Sequence, residues 1–281
     1  MTTARSRHTA TLLADGTILV AGGVGAGSGA LDSAERYDPR TDTWQAAGTM
    51  TTGHVFHEAV RLPDGRVLIV GGCANTWASC TYVGAELFDP TKPAAEAWTA
   101  TAAMPKYRRS HRATLLNNGE VVVTGGYDNA GEHLTINLFN AQTNTWRSPL
   151  GALSVGRNLA TVTKLDDGRV LIVGGTDGTT VHDSLEVYDP STGQATTLAA
   201  KLSQARFDHT ATRLADRRVL FRRRGLLARI GLLGRRGGAL RSRERQYQLG
   251  RRTLLVRASA SSHAAGRRPR AGVRRPRRTL G

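Results

Sequence analysis

The chain has 281 residues with a formal net charge of +17 and a pI near 11.2, values that point at first to a nucleic-acid binder. The charge is not evenly spread: residues 222–281 hold 19 Arg, no Lys and one acid, Glu244, while residues 1–221 carry 20 basic and 21 acidic side chains. The stretch 1–221 therefore reads as ordinary near-neutral globular sequence. No apolar run approaches the ~18 residues of a membrane-crossing helix, Met1–His8 has no apolar leader region, and two cysteines are too few for a disulfide framework.

From the N-terminus, Thr9–Leu13 reads as a first strand, Asp15-Gly16 as a hairpin turn, and Ile18–Ala21 as a buried strand closed by Gly22-Gly23. Asp-Gly between apolar runs is a strong hairpin signal, because both turn residues must tolerate positive φ. A loop (24–32) leads to a third strand ending in Tyr37-Asp38-Pro39, and Trp44 opens a fourth. The pattern then repeats. Glu58–Leu62, Asp64-Gly65, Val67–Val70, Gly71-Gly72, Phe88-Asp89-Pro90 and Trp98 form the second unit. Arg112–Leu116, Asn118-Gly119, Val121–Thr124, Gly125-Gly126, Phe139-Asn140 and Trp146 form the third. Thr161–Leu165, Asp167-Gly168, Val170–Val173, Gly174-Gly175 and Tyr188-Asp189-Pro190 form the fourth, with Ala195 at the Trp position.

Four antiparallel strands in about 50 residues, with the glycine doublet, the aromatic and the Trp in order, resemble the kelch repeat. The resemblance covers residues 1–221. It implies an all-β, kelch-type β-propeller of four complete four-stranded blades (5–50, 54–103, 108–152 and 157–202) plus the start of a fifth (206–221). The strand before each Asp-Gly turn is expected innermost and the Trp strand outermost.

The fifth unit begins with Arg206–Leu220 and then breaks: where the doublet is due, the chain reads Phe221-Arg222-Arg223-Arg224-Gly225. Residues 222–281 are expected to be an irregular, disordered Arg-rich tail. A shifted reading frame fits the break. Codons can be written for Ala239–Gly250 that, read one base later, give Leu-Tyr-Asp-Pro and a Trp at the spacing of a blade. On that reading nucleic-acid binding by the tail is incidental and the chain is a fragment of an interrupted gene. Met1 aligns with Met50 and Met104, which suggests an internal start.

Candidate binding residues fall in two sets. One recurs before each inner strand: Arg5 and His8, His54 and His57, Arg108 and His111, Arg157 with Ala160, and Arg206 and His209. Near one end of a propeller channel, such a ring would bind an anionic peptide, carboxylate or sugar acid; the competing reading is a structural one, once per blade. The second set lies in the variable loops after the doublets (24–32, 73–84, 127–133 and 176–183), with Trp77, Tyr82, Tyr127, Asp128, Asp177 and His182 as candidate contacts. Cys73 and Cys80 bracket one such loop, as a disulfide or as two thiols. No metal or cofactor is expected: no carboxylate or second His sits at ligand spacing beside the recurring histidines. Gly22–Gly29 precedes no helix pattern and makes no phosphate loop. The expected function is a non-catalytic binding scaffold for a protein or glycan. A fragment similar to galactose oxidase, a copper enzyme on a kelch-like propeller, is the alternative.

Overall fold

The computed structural model describes residues 1–27, 29–75, 84–149, 151–223 and 254–257. Apart from one 3-10 turn, Ala94–Glu96, the secondary structure of these residues is all β. Blade 1 comprises β1 (Thr9–Leu12), β2 (Ile18–Ala21), β3 (Ser33–Asp38) and β4 (Thr43–Thr49), hydrogen-bonded in chain order. Blade 2 comprises β5 (Glu58–Arg61), β6 (Val67–Val70), β7 (Ala85–Phe88) and β8 (Trp98–Ala100). Blade 3 has β9 (Arg109–Leu115), β10 (Val121–Asp128), a short β11 (Gly131–Glu132), β12 (Ile136–Asn140) and β13 (Thr145–Arg147). Blade 4 has β14 (Thr161–Lys164), β15 (Val170–Val173), β16 (Ser184–Asp189) and β17 (Gln194–Lys201). The strands within each blade pair antiparallel.

The fifth sheet goes further than its sequence suggests. β18 (His209–Arg213) pairs with β19 (Arg218–Arg223), and β20 (Leu254–Arg257) pairs with β19 in the place of a third strand, Leu254 opposite Phe221 and Val256 opposite Val219. An apolar run inside the Arg-rich segment thus takes a strand position that the loss of periodicity had hidden.

The innermost strands β1, β5, β9, β14 and β18 neighbour one another in that order, so the sheets are propeller blades. The core lies between blades, not within one sheet. Leu13, Leu19 and Ala21 of blade 1 pack with Val67, Ile69 and Phe88 of blade 2. Leu68 and Val70 pack with Val121, Val123 and Phe139; Val122 and Leu138 with Val170, Ile172 and Tyr188; Leu171 and Val173 with Val219 and Phe221. This explains why the second strands read as unbroken Val/Ile/Leu runs: in blades 2 to 4 each is buried on both faces, and alternate residues serve opposite neighbours. The Trp of one blade also reaches its predecessor, for Trp98 Nε1 donates to Ala47 O at 2.8 Å and Trp146 Nε1 to Ala102 O at 3.1 Å.

The inner hairpins turn at the expected dipeptides, but not with positive φ at both residues: Gly16, Gly65, Gly119 and Gly168 have φ between +84° and +91°, whereas the Asp or Asn before each keeps a negative φ and accepts the N–H two residues on. The fifth hairpin places Arg217 there, at φ +68°.

Candidate functional site

The segment that enters each inner strand has one local design. Its first residue is a cation or histidine, buried in blades 1 to 4. Its second bridges the residue after the glycine doublet: Ser6 to Val24, Val55 to Cys73, Asn158 to Thr176; in blade 3 the pairing is Arg109 to Tyr127. Its third is left-handed without being glycine, with φ of +48° to +60° at Arg7, Phe56, Ser110, Leu159 and Asp208. Backbone bonds link these residues from blade to blade: Ser110 N–H donates to Phe56 O, Leu159 N–H to Ser110 O and Asp208 N–H to Leu159 O. The entry segments and the variable loops therefore meet at one end of the propeller, the mouth.

Three of the recurring arginines are turned into the blades. Arg5 is 8 % exposed, and Arg108 and Arg157 are fully buried. Arg5 Nη1 donates to Gly22 O (2.9 Å) and Ser33 O, and its Nη2 pairs with Glu35 at 2.9 Å. Arg157 repeats the pattern with Gly174 O (2.8 Å) and Glu186 (2.5 Å). His54 does the same in blade 2, through Nδ1 to Gly71 O (2.9 Å) and Nε2 to Glu86 (3.2 Å). The third-strand carboxylate also takes backbone N–H groups from the incoming linker, from Thr2 and Thr3, from Thr51 and Thr52, and from Ser154. Burial pushes the Glu35 carboxyl up, but the hydrogen bonds from Thr2, Thr3 and Arg5 outweigh it and hold it at about 2. Each clamp ties the linker, the doublet and the third strand of one blade together.

Blade 3 departs from the pattern. Arg108 donates to Gly125 O and Thr135 O, both at 3.0 Å, but its third-strand partner is neutral Asn137. Burial lowers this guanidinium to about 10, with Asp128 offsetting part of the shift. In blade 5 Arg206 is half-buried and donates through Nε to Gln204 O at 3.3 Å.

The glycine doublets are explained by the next blade. The second glycine donates to the carbonyl of the following blade's first entry residue: Gly23 to His54, Gly72 to Arg108, Gly126 to Arg157 and Gly175 to Arg206, at 2.8–2.9 Å. A Cβ on Gly22, Gly71, Gly125 or Gly174 would stand 2.4–2.6 Å from the same carbonyl. No side chain fits there.

The recurring histidines are also internal. His57, His111 and His209 are 5 % exposed or less, whereas His8 is half-buried. The expectation of a ligand ring of Arg and His thus finds Arg5, Arg108 and Arg157 inside the blades, Arg206 half-buried, and three of its histidines between blades.

In the variable loops, Tyr127 is half-buried under the Arg109 guanidinium, 4.5 Å from the ring centroid. Asp177 accepts N–H groups from Thr179 and Thr180, first among the causes that lower its pKa, and lies 3.3 Å from His182. Asp128 pairs with His133 at 3.2 Å. Cys73 is buried and disulfide-bonded; Trp77, Cys80 and Tyr82 lie outside the described residues.

Sequence reasoning missed two features. The third-strand Glu35, Glu86 and Glu186 recur two residues before the aromatic, a repeated signal that marks them as partners of the entry cations. The other is a stack at the mouth. The Arg7 guanidinium lies 4.6 Å from the Phe56 ring centroid, and the Arg109 guanidinium lies 6.0 Å from Phe56 and 4.5 Å from Tyr127. Arg7 is exposed and the other three half-buried. Among the described residues no three His, Cys, Asp or Glu side chains gather as a metal site would need.

Comparison with curated proteins returns no match. Residues 7–221 match the family model of the KLHDC2/KLHL20/DRC7 Kelch-repeats domain. Kelch-repeat domains are in general protein-interaction scaffolds and typically non-enzymatic. With blades, doublets and aromatics in register over that span, the chain belongs to the kelch-repeat family.

Proposed function

We propose that the chain is a non-catalytic scaffold that binds a protein ligand at the mouth, through a carboxylate-bearing segment of that ligand. The observation that carries this reading is the Arg7–Phe56–Arg109–Tyr127 stack, which runs across blades 1 to 3 at the end where the variable loops gather. A guanidinium over an aromatic face is held in place by the ring quadrupole, and its in-plane N–H edge matches a carboxylate. The two rings supply apolar contact for a neighbouring side chain. The clamps fix the platform, since the entry segments carrying Arg7, Phe56 and Arg109 begin at the buried Arg5, His54 and Arg108.

A peptide array of Asp- and Glu-containing sequences, with amide counterparts, tests this. Binding is expected to favour the acidic peptides, to fall with salt, and to drop at least tenfold in Arg109→Ala and Phe56→Ala with the thermal melt preserved. Equal binding of acid and amide peptides, or full binding by both variants, would argue against the mouth as the site.

A further inference from the structure

Three of the four contacts between adjacent blades hold a buried histidine in one position. The Cε1 edge of His57 rests against Gly22, that of His111 against Gly71 and that of His209 against Gly174; a Cβ on those glycines would come within 2.8, 2.7 and 3.0 Å. His57 Nε2 meets Thr9 Oγ1 at 2.9 Å and His209 Nε2 meets Thr161 Oγ1 at 3.0 Å, each across a blade boundary. Both ring nitrogens of His111 are buried, and the ring faces the Val70 backbone of the preceding blade. The contact between blades 3 and 4 has Ala160 instead.

The surroundings of the three rings are basic. His54 and His8 face His57, with the His54 ring centroid 5.8 Å away. Arg108, Arg112 and His57 face His111. Arg206 and Arg112 face His209, which follows Asp208 in the chain and lies edge-on to Phe221 at 6.0 Å. The nearby carboxylates are engaged elsewhere, Glu86 with His54 and Glu58 with Arg112. Burial lowers His57 to about 3, His209 to about 4 and His111 well below its usual value.

We propose that His57, His111 and His209 are acid-released latches. Protonation opens the contacts between blades 1 and 2, 2 and 3, and 4 and 5, and leaves the Ala160 contact between blades 3 and 4 closed. Above pH 6.5 the imidazole is neutral in both the closed and the open state. Below it the open state takes up a proton that the closed state refuses, so the closed state is progressively disfavoured by about tenfold per pH unit for each latch, down to about 3 at His57 and about 4 at His209. The clamp carboxylates Glu35 and Glu86 titrate below 4.5, while Glu58, pushed up by burial against the pull of Arg112, shares the acidic window with the histidines, so the His57→Gln variant separates the two. Phe56 precedes His57, and Arg109 lies two residues before His111, so the mouth stack sits on two of the latches.

The second doublet glycines report each contact separately, since their N–H groups bond across it. NMR-detected amide exchange on the full chain, corrected for intrinsic rates, is measured at pH 7.0 and 4.5. Protection at Gly23, Gly72 and Gly175 is expected to fall by roughly 50- to 100-fold, with Gly126 changing at least tenfold less. His57→Gln should abolish the fall at Gly23. If that variant does not fold, the histidine titration of the wild type decides: ring pKa values of His57 and His209 below 5 support the latches. Loss of protection at Gly126 together with the other three, unchanged protection throughout, or a ring pKa above 6 at either histidine overturns the proposal.

Discussion

Replacing Arg157 by Met tests whether the entry cations are clamps or ligand contacts. The substitution removes donors to Gly174 O, Ser184 O and Ser184 Oγ and leaves the Glu186 carboxylate, 1 % exposed, with the Ser154 N–H at 2.7 Å. Breaking a buried pair from one side costs about 3–5 kcal/mol. For a domain of this size that corresponds to a fall in Tm of roughly 10 °C. Arg157→Met/Glu186→Leu removes the stranded charge as well and should recover about 2 kcal/mol, but not all, because Gly174 O and the Ser154 N–H stay without partners. Arg108→Met is the internal control. It strands no carboxylate, since Asn137 is neutral, so only hydrogen bonds to a charged group are lost, about 1.5–3 kcal/mol. Urea unfolding followed by far-UV circular dichroism measures all three. If Arg157→Met behaves like an ordinary surface substitution, within about 0.5 kcal/mol of wild type, the guanidinium is not a clamp and the reasoning fails.

Three further substitutions follow from single positions. Asn137→Glu gives Arg108 the carboxylate that Arg5 and Arg157 have, and should raise stability by about 1–2 kcal/mol, read as a higher urea midpoint; an unchanged or lower midpoint counts against the clamp pattern. Arg217→Gly relieves a left-handed arginine where the other four hairpins have glycine and should stabilise blade 5 by about 0.5–1 kcal/mol, seen as slower amide exchange in β18. Gly71→Ala sets a Cβ 2.6 Å from Arg108 O at a φ of +62°, and should cost at least about 2 kcal/mol with the largest loss of protection at Gly72.

Much of this fold is legible in order along the chain because a blade is a local object. Two strands joined by Asp-Gly, an apolar run ended by Gly-Gly, and an aromatic followed by Asp-Pro are each set by neighbours in sequence. The strand order β1-β2-β3-β4 follows from them directly. The site was less legible. Arg5, Arg108 and Arg157 recur in the pattern expected of a ligand ring, yet recurrence alone does not say whether a guanidinium points out to solvent or back to a carbonyl 17 residues on. The mouth stack carries no repeat: Phe56 stands where other blades have Arg7 or Leu159, and Arg109 where they have Ser6 or Asn158. Only their proximity in space identifies them.

The sequence by itself determined the order of the four main strands in four blades, the places of their turns and their buried runs, though not the short β11 of blade 3, because hydrophobic period and turn chemistry act over a few residues. Only the tertiary structure decided what joins one blade to the next. The doublet glycines answer to a carbonyl that enters the following blade, Gly23 to His54 and Gly72 to Arg108. His57 and His209 answer to a Thr 48 residues earlier. The third strand of blade 5 comes from Leu254–Arg257, far along the chain from the Arg223 that ends its hairpin. Such contacts depend on how whole sheets pack, and the apolar faces of neighbouring blades set that packing together.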